Sequence, residues 1–132
     1  MNLFQYFTPK SSTFYLESDA TIRQALEKFD HHKFTVVPLL EPGGHYLSTV
    51  SEGDILRFIK NEAHFDITVA EKTRLAEIEK YRPYRACTID VPFDELTRLA
   101  LEQNFVPVVD DRGSYMGIVK RKEIIKMLLS CQ

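Results

Sequence analysis

Val37-Pro38-Leu39-Leu40-Glu41 and Val106-Pro107-Val108-Val109-Asp110 decide the fold, because each opens the same run of residues. From these strands to Ile59 and Leu128 the two stretches align without a gap, at the constant offset of 69 residues that separates Pro38 from Pro107. Val37/Val106, Pro38/Pro107, Gly44/Gly113, Tyr46/Tyr115, Val50/Val119 and Ile55/Ile124 are identical, and Glu41/Asp110, Asp54/Glu123 and Arg57/Lys126 keep their charge. A duplicated unit predicts two similar halves about a pseudo-twofold axis, with related clefts.

Each copy reads as helix, strand, tight turn, strand, helix. In the first, Ile22, Ala25, Leu26 and Phe29 form the apolar stripe of an amphipathic helix, with Ser18 or Asp19 as its expected cap. Phe34 to Leu40 is a β-branched, apolar run suited to a buried strand. Glu41-Pro42-Gly43-Gly44-His45 is a turn, and Tyr46 to Val50 returns as the second strand. Ser51-Glu52-Gly53-Asp54 then opens a helix and resembles a capping box with the shorter acid. In the second copy Pro92 stands in a helix's first turn, Phe105 to Val109 and Tyr115 to Val119 are the strands, and Lys120-Arg121-Lys122-Glu123 begins the last helix. Thr68-Val69-Ala70-Glu71 is a further capping-box pattern, and Leu75 and Ile78 pack a short connecting helix. The expected division is residues 1–65, a connector at 66–84, and residues 85–132, with the halves folding together because neither has much core alone.

Composition narrows the function. The 132 residues suit one small domain, and 44% hydrophobic with 27% charged residues is ordinary for a globular protein. A net charge of −2 argues against non-specific nucleic-acid binding. Apolar runs fall far short of the roughly 20 residues of a membrane helix, and Met1 to Phe7 lacks a basic leader region. A cytoplasmic protein without nucleic-acid or membrane partners is expected. Cys87 reads as a small residue in an apolar strand, and with Cys131 it makes no disulfide framework. His31-His32 reads as a pair of exposed residues at a helix end, since neighbours on a helix diverge by about 100° and chelate poorly. No nucleophile elbow, phosphate loop or zinc spacing occurs, so the chain reads as a binding module and not an enzyme, with no metal and no required cofactor.

The duplicated order resembles the CBS (cystathionine-β-synthase type) domain, present as a tandem pair from about Phe7 to Leu129. The residues that carry the resemblance are Val37-Pro38 with Val50-Ser51-Glu52-Gly53-Asp54, and Val106-Pro107-Val108-Val109-Asp110 with Gly117-Ile118-Val119. It implies an α/β fold of α+β type: two βαββα repeats packed as one flat module, commonly paired as a homodimer. It also implies adenine nucleotides as effectors (AMP, ADP, ATP or cyclic di-AMP) in the cleft between repeats, with an unidentified protein partner acted on in trans. A docking or dimerisation module with degenerate pockets is the alternative.

A nucleotide needs an apolar slot, an acceptor for ribose hydroxyls, and donors for phosphate. Val36, Val37 and Pro38 are expected to wall the slot. Asp54 is expected to accept the ribose hydroxyls, and Ser51 with its helix N-terminus to face phosphate. On this reading Asp54→Ala weakens binding and leaves the melting temperature of the free protein almost unchanged. The second repeat departs from the first: Lys120 replaces the hydroxyl residue and Glu123 the aspartate, and the two can pair at i, i+3. Lys120, Arg121 and Lys122 put three cations near a positive helix end, either solvated or matched by an anion. The second helix-to-strand lead-in is also about two residues short: Asn104-Phe105-Val106-Pro107 stands against Lys33-Phe34-Thr35-Val36-Val37-Pro38. That shortening resembles small stand-alone bacterial CBS-pair proteins, some of which bind cyclic di-AMP. The resemblance implies ligand contacts from Ser12 and Phe14, from Phe34 with Thr35 and Val36, and from Arg121 with Lys122. Finally, apolar faces around Ile55, Ile59, Ile124 and Leu128 are expected to lie exposed and to drive dimerisation.

Overall fold

Both Val-Pro strands fold back as antiparallel hairpins, in the register the repeat demands. The computed structural model describes residues 2–32 and 34–130, so Met1, Lys33, Cys131 and Gln132 lie outside the described residues, as does the reading of Cys131. Strands β3 (Val36–Leu40) and β4 (Tyr46–Ser51) pair from Val36↔Ser51 to Leu40↔Tyr46. Strands β5 (Phe105–Val109) and β6 (Tyr115–Lys120) pair from Phe105↔Lys120 to Val109↔Tyr115. Every pair in one hairpin is thus the other's displaced by 69, including a register shift at Leu39/Leu40 and again at Val108/Val109. The tight turns need positive φ at Gly44 (101°) and Gly113 (82°), where a side chain would be strained. Pro107 sits mid-strand without harm. Its carbonyl accepts from Cys87 N–H at 2.8 Å while Val109 N–H donates to Cys87 O. Its nitrogen therefore faces the short parallel bridge and removes no bond from the β5–β6 ladder.

The chain divides into two compact units, Phe14–Pro83 and Met1–Thr13 with Tyr84–Gln132. This is a different division from the expected one at residues 65 and 85. Strand β1 (Phe7–Pro9) leaves the first copy to pair with β6, Phe7 opposite Val119, in a sheet ordered β1-β6-β5. In the other unit, β2 (Leu16–Glu17) runs parallel to β3 in a sheet ordered β2-β3-β4. Leu16 pairs Leu39, whereas Cys87 bridges Val108, so the second lead-in is two residues shorter, as the sequence implies.

Helix α1 (Ile22–His32) is capped by Thr21, not by Ser18 or Asp19. Thr21 Oγ1 accepts Gln24 N–H at 3.2 Å, and Gln24 Oε1 accepts Thr21 N–H at 2.9 Å. Its buried face is Ile22, Ala25 and Phe29, packed with Val37, Leu39, Val50, Leu75 and Ile78, and with Ile55 of α2 (Glu52–Asn61). Helix α3 (Ile67–Lys72) is capped by Asp66, two residues ahead of the expected Thr68 box. In the second unit α4 (Phe93–Glu102) and α5 (Arg121–Ser130) cover Val106, Val108 and Val119 with Leu96, Ala100, Ile124 and Met127. Ile55 and Ile124 are each 1% exposed core residues, and Ile59 packs against its core, so these three are not the expected open surface. On these two helices the open apolar positions include Leu56 on α2 and Ile125, Leu128 and Leu129 on α5, of which Leu128 was expected. Among the described residues no helix is long and apolar enough to cross a membrane.

Candidate functional site

Asp54 is the most constrained polar side chain in the first repeat. Ser51 Oγ accepts Asp54 N–H at 3.0 Å and Asp54 Oδ2 accepts Ser51 N–H at 2.9 Å, which completes the capping box at α2. The other carboxylate oxygen accepts from Arg57 Nη2 at 2.8 Å and from Tyr81 N–H, 27 residues away, at 2.9 Å. Arg57 lies over the Tyr81 ring, 4.6 Å from its centroid. Asp54 thus clasps the connecting segment onto α2 while only 4% exposed. A carboxylate has about four acceptor positions, so the three donors leave too few for two ribose hydroxyls unless the clasp opens. Lys80 joins the clasp by donating to Leu75 O at 2.6 Å. Burial pushes its amine below the ordinary range, and the charge of Asp54 partly offsets this. The adjoining cleft, about 500 Å³, sets Asp54, Glu62, Glu77 and Glu79 against Arg57 alone. Its charge disfavours phosphate.

Beside this clasp, the lead-in to β3 meets the start of α2. Thr35 O accepts Glu52 N–H at 2.9 Å, and Val36 pairs Ser51. Thr35 is exposed and Val36 half-buried, whereas Pro38 is buried opposite Thr49. Phe34, 49% exposed, lies nearly parallel to Phe14, with centroids 5.7 Å apart and planes at 20°. The structure therefore brings Phe14, Phe34, Thr35, Val36, Ser51 and Asp54 together in one unit. The sequence reading missed Arg57 and Tyr81, which are tied to Asp54, and His32, which stacks on Phe14 at 4.3 Å. An aromatic two residues from a helix-ending histidine was the available signal for His32. Only the fold joins Tyr81 to Asp54.

The basic run lies in the other unit. Lys120 ends β6 opposite Phe105 and is exposed, as is Lys122. Arg121 is half-buried, and its Nε donates to Ala100 O at 2.7 Å in the last turn of α4. There the helix carbonyls carry partial negative charge, so this cation is matched by the fold itself. Glu123 pairs with Lys126 at 3.3 Å, and not with Lys120, the pairing the sequence allows. Ser12 sits in the 3-10 turn Lys10–Ser12, beyond Pro9, which pairs Gly117. Thr13 Oγ1 accepts from Tyr115 OH at 2.9 Å, so this turn lies at the opposite end of β6 from Lys120. The fold does not bring Ser12 to the basic run.

Cys87 takes its strand-like place between Pro107 and Val109 and is buried. Burial pushes its thiol up to about 12, with Glu95 adding to the shift, so it is a neutral packing group at neutral pH. An unfolded thiol ionises near pH 9, so the stability gained by burying the neutral form is intact below pH 9. It is lost as pH rises through 12. The melting temperature of the wild type is expected to fall more steeply between pH 9 and 12 than that of Cys87→Ala; parallel curves would contradict this. Among the described residues no group of three His, Cys, Asp or Glu is placed to hold a metal.

The CBS domain model matches residues 8–61 and 77–130, the second range being the first displaced by the same 69 residues. The chain belongs to the CBS domain family. Solved CBS proteins share its fold. A CBS domain protein from Streptococcus pneumoniae TIGR4 superposes with a TM-score of 0.85 at 21% identity, covering 98% of this chain and 88% of that one. CbpB of Listeria monocytogenes, solved in complex with cyclic di-AMP, has a TM-score of 0.85 at 16% identity, covering 98% and 96%. CBSX2 of Arabidopsis thaliana, solved in complex with AMP, has a TM-score of 0.72 at 22% identity, covering 96% and 95%. At these identities the likeness is one of fold. No curated protein matches the sequence.

Proposed function

We propose that this CBS pair is a regulatory module of the cytoplasm that binds an adenine nucleotide, AMP or cyclic di-AMP, and acts in trans on a partner protein. The observation that carries the reading is the near-parallel pair of half-buried Phe14 and exposed Phe34 beside the N-terminus of α2. Such rings offer π-faces to a base, while the exposed Thr35 beside them offers a polar partner for its sugar. Complexes of CbpB with cyclic di-AMP and of CBSX2 with AMP support the choice of ligand. In the second repeat the exposed Lys120 and Lys122 are assigned to an anion, and Arg121 to bracing α4. The apolar positions left open on α2, and separately those on α5, support a homodimer in which a second copy buries them. The module binds and signals; catalysis is not assigned to it.

A specific observation favours a second reading, that of a docking module with closed pockets: Asp54 and Arg121 already have partners within the fold. Calorimetry on Phe34→Ala separates the two readings. Base stacking on an aromatic is worth about 1–3 kcal/mol by alanine substitution, so nucleotide affinity is expected to fall about tenfold. Equal affinity in the variant would remove Phe34 from the site.

A further inference from the structure

His32 is the last residue of α1, and its imidazole lies on Phe14 with centroids 4.3 Å apart and planes at 26°. It is also nearly parallel to Phe34, at 6.4 Å and 9°. Phe14, His32 and Phe34 therefore share one orientation to within 26°. Three other aromatic pairs meet edge to face: Phe14–Phe29 (82°), Phe4–Phe7 (87°) and Tyr84–Phe105 (63°). Edge-to-face is an ordinary outcome when rings pack for burial, because the positive edge of one seeks the negative face of the other. The parallel set is at the surface instead, with His32 exposed and Phe34 49% exposed. Aligned rings open to solvent match a flat heteroaromatic ligand better than they match a core. Phe14 also meets Phe29, a core residue, in a T-shaped contact that ties the platform to the core.

We propose that His32 is a base-contacting residue, the third ring of a purine platform formed with Phe14 and Phe34. This rests on the nucleotide reading above and extends it to a residue outside the duplicated motif. His32 has no counterpart ring in the second repeat: ahead of the shortened lead-in the offset is that of Leu16 to Cys87, 71 residues, which sets Gln103 at its place. The platform is a property of the first repeat, so the two repeats differ in base affinity.

Titration calorimetry of wild type, His32→Ala and His32→Phe with AMP, and with ribose 5-phosphate as a probe lacking the base, tests this. His32→Ala is expected to weaken AMP about tenfold while leaving ribose 5-phosphate unchanged. His32→Phe, which keeps a ring, is expected to stay within about threefold of the wild type for AMP. Wild-type affinity for AMP in His32→Ala, or loss in His32→Phe equal to that in His32→Ala, overturns the role of His32 while the nucleotide reading stands. Failure of the wild type to bind AMP or cyclic di-AMP at all overturns the nucleotide reading and this inference with it.

Discussion

Asp54→Ala is expected to lower the melting temperature of the ligand-free protein by roughly 10 °C, because three donors lose their acceptor at once. The N-cap itself survives, since Ser51 Oγ still accepts the backbone N–H of residue 54. The part-buried Ser51 and Tyr81 N–H groups each lose a bond to a charged acceptor, worth about 1.5 kcal/mol. The Arg57 pair adds little, since that guanidinium is 47% exposed. A total near 3 kcal/mol, at a few degrees per kcal/mol for a chain of this length, gives the stated shift. This reverses the expectation from sequence, where Asp54 was assigned to ribose and the free protein was to be left almost unchanged. Asp54→Asn keeps one carbonyl acceptor and is expected to recover part of the loss. Thermal denaturation followed by circular dichroism reads both variants. A shift of under about 2 °C in Asp54→Ala would contradict the clasp.

Gly117→Ala is expected to be comparably damaging for a different reason. A Cβ at Gly117 would stand 2.1 Å from Thr8 O and 2.6 Å from the Phe7 ring, so β1 must move away from β6. The backbone φ of 153° adds strain for any side chain. Overpacking and strain together are expected to cost about 3 kcal/mol, read as a lower midpoint in equilibrium urea unfolding. Ser48, the residue at the matching place in the first repeat, lies on β4, which ends its sheet and has no strand across it. Ser48→Ala is therefore expected to change stability by no more than about 0.5 kcal/mol. Equal midpoints for Gly117→Ala and wild type would show that β1 is not held as described.

Pairing within each repeat was legible because strand, turn and strand are close in sequence and their register is fixed twice over. The 69-residue offset reproduces every pair and both register shifts. The shortened second lead-in was legible for the same reason. Strand β1 was not: Phe7-Thr8-Pro9 is too short to show alternation, and its partner lies over a hundred residues away. The cap of α1 was misplaced because Ser18, Asp19 and Thr21 are all competent, and only the reciprocal bond from Gln24 selects Thr21. At Asp54 the local half of the site, Ser51 and the helix start, follows from the Ser-x-x-Asp spacing. Its long-range half, Tyr81, depends on where the connecting segment runs. His32 was read as solvent-exposed from its place at a helix end; it is exposed, but with its ring lying on Phe14.

Thermal denaturation of the wild type with AMP, cyclic di-AMP and ribose 5-phosphate tests the central claim most directly. A ligand at about 100 times its dissociation constant stabilises a fold by about 2.7 kcal/mol. The account predicts a concentration-dependent rise of several degrees with at least one adenine nucleotide, and a smaller rise or none with ribose 5-phosphate. No shift with either adenine nucleotide at millimolar concentration would contradict it.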